Sequence, residues 1–184
     1  MEKELSLEEK SVLEHINTYK LAIEEFAESE EDYEFPNSGE IHAAIVMSNI
    51  LRKAKRKIIM FAGDLNGKVS GDADYLIELE NFLKRSGSLE LILENNPSVN
   101  SKANNVIKKY KNNNVKTYLF DDAIAKKNNF NKPPFHFIVA DNRMFRIEFD
   151  TETFKAKCNF NSPKIASDLT NLFSKMLFAN PQII

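Results

Sequence analysis

Short apolar runs recur along this chain with two different spacings, and the change in spacing limits the sheet it can build. Lys57 to Ala62, Leu89 to Leu93 and Val115 to Phe120 are too brief and too β-branched for helices, and each is followed or preceded by a stretch long enough for one. Strands joined that way lie parallel, through right-handed crossovers. Phe135 to Ala140, Met144 to Phe149 and Phe154 to Phe160 are separated only by turns, so these three pair antiparallel. The expectation is an α/β fold with a mixed sheet, three parallel strands followed by three antiparallel ones. A closing helix starts after Pro163, with Ile165, Leu169, Leu172, Phe173 and Met176 on its apolar face.

The first 36 residues differ in character. They hold 3 Lys against 12 Asp and Glu, a net charge of −9, whereas residues 37–184 hold 22 Lys and Arg against 15 acids, a net of +7. Ser6 followed by Glu9 is a capping box that predicts a helix from about Leu7. Val12, Ile16, Tyr19, Ile23 and Phe26 form one stripe on it, expected to bury against the same chain. The run from Glu28 to Glu34, with Pro36, Asn37, Ser38 and Gly39, reads as the end of this element and a linker. The organisation expected is an acidic helical extension, 1–36, and one α/β domain, 37–184.

Composition excludes several classes of function. Cys158 is the only cysteine, which rules out a disulfide framework or a cysteine-rich zinc site and suits a reducing, cytoplasmic setting. The start is charged where a secretory signal needs an apolar core, and no apolar run is long enough for a membrane span. His15 and His42 have no ligand-like spacing to other metal-binding residues, so neither a metal nor another cofactor is expected. The loop from Gly63 to Val69 is one residue short of a phosphate-binding P-loop and has valine where that loop needs Ser or Thr. A basic body could still attract nucleic acid or another phosphate-bearing partner, with the extension opposing it. The lysines from Lys126 to Lys132, just before His136, are the best placed to meet a phosphate.

The most informative segment is Pro133 to Glu148. A three-residue hairpin loop, Asp141-Asn142-Arg143, sets Ala140 opposite Met144, Ile138 opposite Arg146 and His136 opposite Glu148. Phe137, Val139, Phe145 and Ile147 then share an apolar face, and His136, Arg146 and Glu148 share the other. A two-residue loop would instead mix the charges into the apolar stripe. Such a His–Arg–Glu trio can hold an anion, the guanidinium offering a fixed fork of donors, or can neutralise itself as a buried network.

The strand Phe-His-Phe-Ile-Val-Ala-Asp before a tight turn, together with the order of elements, resembles the phospholipase D superfamily. Its members carry H-x-K-x-x-x-x-D and assemble each active site from two half-domains. That resemblance spans about residues 40 to 178 as architecture and implies one half-domain, a homodimer, and histidines acting as nucleophile and acid while lysines hold phosphate. The motif is degenerate here. Placing Asp141 on the family aspartate puts His136 at the lysine and Pro134 at the nucleophile; placing His136 on the family histidine puts Ile138 at the lysine and Arg143 at the aspartate. The expectation is therefore a non-catalytic binding or regulatory module, with His136, Arg146, Glu148 and Asp141 as candidate ligand-binding residues. An atypical phosphodiesterase or nuclease using His136 across a homodimer is one alternative. A structural accessory subunit that docks a protein partner through its first helix is the other.

Overall fold

A computed structural model describes residues 6–110 and 114–179. The elements run α1 (Leu7–Ser29), β1 (Phe35–Asn37), α2 (Glu40–Lys53), β2 (Lys57–Ala62), α3 (Lys68–Gly71), α4 (Ala73–Lys84), β3 (Ser88–Leu93), α5 (Lys102–Lys109), β4 (Val115–Leu119), α6 (Asp122–Lys127), β5 (His136–Ala140), β6 (Met144–Asp150), β7 (Lys155–Asn159) and α7 (Pro163–Ala179). Among these residues the strands form one sheet in the order β1-β7-β6-β5-β2-β3-β4. β2, β3 and β4 are parallel, while β5, β6 and β7 are antiparallel to their neighbours, the mixed sheet that the spacing of the runs predicts.

Alternation along each strand sends side chains into two cores. Ile58, Met60, Leu89, Leu91, Ile138 and Met144 pack with residues of α1, α2, α4 and α5 on one face. Ile59, Phe61, Phe137, Val139 and Phe145 pack with Leu169, Phe173 and Met176 of α7 on the other. The hairpin has the expected register, His136 opposite Glu148 and Ile138 opposite Arg146.

Two readings of the N-terminal region need correction. Phe35–Asn37, inside the stretch read as linker, is the edge strand β1, paired antiparallel with β7 and with Phe35 opposite Cys158. Three residues are too few to show a period of two, and Pro36 is tolerated because it stands on the sheet edge with its face to solvent. The capping box of α1 is present, with Glu9 N–H donating to Ser6 Oγ and Ser6 N–H donating to Glu9 Oε2. Its apolar stripe is buried only in part. Ile23 and Ala27 are sealed against the domain, whereas Val12 is 55% exposed. A six-residue helix, α6, takes in Lys126 and Lys127; Asp121 caps it by accepting from the amides of Ala123 and Ile124.

Asp141 has a role in the fold that its motif position does not suggest. Its carboxylate accepts the backbone amides of Lys55, Arg56 and Lys57 at 2.7, 2.9 and 2.9 Å, fixing the entry to β2 against the β5–β6 turn. Asp141 and Asn142 both have positive φ, 51° and 55°, which short polar side chains tolerate best. Asp141→Ala strands three amides and places alanine in the left-handed region, so it should cost about 2–4 kcal/mol in urea unfolding. Asp141→Asn, which keeps one acceptor oxygen and the backbone preference, should cost clearly less; no loss in Asp141→Ala would show that the fold does not depend on these bonds.

Candidate functional site

His136 opens β5 at the end of the sheet where the parallel strands β2 and β3 terminate. Its ring meets Phe61 edge to face, with centroids 5.4 Å apart. Nε2 lies 3.2 Å from Glu94, the residue after β3, and Nδ1 lies 3.7 Å from Glu148 across the hairpin. Lys132 Nζ donates to Glu94 at 2.6 Å. On the other side, Arg146 Nη1 donates to Glu148 at 2.6 Å, Nε to Asn37 Oδ1 at 3.0 Å and Nη2 to the Phe154 carbonyl at 3.1 Å. Asn37 in turn donates to the Tyr19 hydroxyl of α1. A continuous polar chain thus runs from Lys132 through Glu94, His136, Glu148, Arg146 and Asn37 to Tyr19.

Burial opposes charge on His136, but the bonds to Glu148 and Glu94 outweigh it and hold the imidazole above its ordinary value of 6.5. Glu148 and Glu94 are also opposed by burial. His136 and Arg146 hold the first below its ordinary 4.5, and Lys132 and His136 do the same for the second. Burial pushes Tyr19 and Cys158 up to about 12, so the thiol has no thiolate character near neutrality.

His136, Arg146 and Glu148 form the polar edge of a cavity of about 170 Å³, whose other walls include Met47, Met60, Leu65 and Val69. The structure therefore brings together three of the four candidate residues. Asp141 is at the far end of β5, engaged with the 55–57 amides, and is not part of this wall. The other motif positions are equally remote in function. Ile138 is a core residue, Pro134 is exposed, and Arg143 binds the Phe160 carbonyl and Glu30. The sequence reading missed Glu94 and Asn37. Glu94 carried a usable signal, since it follows the carboxyl end of a parallel strand, where ligand sites form in such sheets. Asn37 carried none. Among the described residues no group of three or more His, Cys, Asp and Glu could hold a metal ion, and no helix is long and apolar enough to cross a membrane.

No protein-family model and no curated protein matches the sequence. Solved structures do. Nuc from Salmonella typhimurium, a phospholipase D family member, superimposes with a TM-score of 0.60 at 14% identity, covering 84% of this chain and 99% of that one. The fold is phospholipase D-like. NucT from Helicobacter pylori agrees equally well, with a TM-score of 0.60 at 14% identity over 82% of this chain and 98% of its own. TrmBL2, an archaeal chromatin protein with a novel mode of DNA binding, matches at a TM-score of 0.57 and 15% identity over 95% of this chain and 66% of its own.

The ion-pair chain predicts a two-sided pH dependence. His136 has a raised folded pKa, so its contribution to stability is complete below 6.5 and is lost as pH rises through the folded value. Glu94 and Glu148 have lowered values, so theirs is complete above 4.5 and is lost as pH falls through the folded ones. Stability from this cluster should peak between those limits. In thermal unfolding across pH, His136→Gln should remove the loss on the alkaline side; an unchanged alkaline limb would show that the imidazole is not held charged.

Proposed function

We propose that this chain is a non-catalytic phospholipase D-like domain that works as a binding or regulatory module. One observation carries the reading: both ring nitrogens of His136 face carboxylates, Glu94 and Glu148. A nucleophilic imidazole needs a free lone pair on the attacking nitrogen, and a carboxylate facing each ring nitrogen favours the protonated ring, which has none. The possible phosphate clamp is engaged as well, because three of the five N–H groups of Arg146 are used by Glu148, Asn37 and Phe154. The alternative of an atypical phosphodiesterase asks these two residues to leave their partners.

A nucleic-acid ligand draws less support than the charge asymmetry suggests. Acids of the N-terminal segment pair with basic residues of the body: Glu24 with Arg52, Glu28 with Lys53, Glu30 with Arg143 and Glu34 with Lys157. Exposed pairs of this kind add little stability, but they cancel the local potential that would draw a polyanion to that face.

Purified protein should show no turnover of bis(p-nitrophenyl) phosphate or DNA, with or without added divalent metal. Turnover that survives purification and vanishes in His136→Ala would overturn this reading in favour of the phosphodiesterase.

A further inference from the structure

One residue lining the cavity beside His136 carries an unexplained polar group. Tyr75 of α4 lines it and is 2% exposed, fully inside the fold. Its backbone amide is bonded to Asp72, but its hydroxyl has no hydrogen-bond partner among the described residues. Burial alone raises its pKa, with no neighbour contributing. A buried hydroxyl left unpaired costs stability that a tyrosine-to-phenylalanine change would recover, so its presence calls for a partner beyond the described residues.

The charges around the cavity restrict that partner. Besides Tyr75, four ionisable side chains line it, Asp64, His136, Arg146 and Glu148, two acids against two bases. Both bases are already paired with carboxylates. A phosphate monoester or diester would therefore bring its charge against Glu148 and Asp64 without finding a free cation. Most of the remaining walls, Met47, Met60, Leu65 and Val69 among them, are apolar, and the Ser70 hydroxyl is spent on the Gly67 carbonyl. At about 170 Å³ the space resembles the engineered apolar cavities of roughly 150 Å³ that accept benzene.

We infer that this cavity binds a small, neutral, mostly apolar molecule of single-ring size, whose one hydrogen-bonding group pairs with the Tyr75 hydroxyl. The inference deepens the reading of the chain as a non-catalytic binding module and rests on it. It assigns the phospholipase D-like fold a ligand outside phosphate chemistry, selected by size, apolarity and one buried hydroxyl.

Phenol, benzene and phenyl phosphate are suitable probes, with the methyl signals of Met47 and Met60 as local reporters in the full chain. Phenol should shift both methyls saturably, benzene more weakly, and phenyl phosphate not at all. Tyr75→Phe should fold with undiminished stability and lower phenol affinity about 2- to 10-fold while leaving benzene affinity unchanged. Phenyl phosphate outcompeting phenol at these methyls, equal phenol affinity in parent and Tyr75→Phe, or no saturable shift with either neutral probe would each overturn the inference. Phosphodiesterase turnover by the same sample is a separate outcome: it removes the non-catalytic reading, while the methyl shifts still decide the ligand class.

Discussion

A guanidinium buried to 6% exposure cannot stand without partners, and the way Arg146 finds them organises this end of the molecule. Each partner comes from a different piece of chain: Glu148 from its own strand, Asn37 from β1, and the Phe154 carbonyl from the turn before β7. Removing one partner of such a buried pair typically costs about 3–5 kcal/mol, because a desolvated charge is left behind. The edge strand, the turn and the hairpin are therefore held to one another by a single side chain. Through Asn37 and Tyr19 the same bonds reach α1, which makes the acidic segment a participant in the polar chain rather than a bystander.

The same satisfaction of charge distinguishes this cluster from a site built to hold phosphate. In a site built to hold phosphate, cations converge on a space and are left unmatched until a ligand arrives. Here Lys132, His136 and Arg146 converge but are already matched by Glu94 and Glu148. A phospholipase D-like sheet supplies the position of the site, at the ends of its central strands, and the side chains at that position decide what can be done there.

What the sequence made legible follows from how far each signal reaches. The mixed sheet was visible because crossover connections and tight turns differ in length. The hairpin register was visible because only one loop length keeps Arg146 and Glu148 out of the stripe of Phe137 and Val139. Both signals are local. β1 was hidden because its pairing with Cys158 depends on residues far along the chain, and a tripeptide with a central proline has no period of its own. The exposure of Val12 was hidden for the converse reason, since a helical stripe records which residues share a face but not how far along the helix the domain extends. Glu94 could not be linked to His136 by spacing, because parallel strands bring their ends together regardless of the length between them.

The pairing of β1 with β7 has a consequence for the order of assembly. The strand at Phe35 is made well before its sheet partner, with strands β2 to β6 of the same sheet and their connections lying between Phe35 and Cys158. Loop closure across that separation has to follow the strands between, so the N-terminal segment docks onto a sheet already formed. Until it does, Arg146 lacks Asn37, and the sheet edge at β7 stays open. By the entropy of loop closure, completion of the buried charge network belongs late in folding, after the hairpin that presents Arg146.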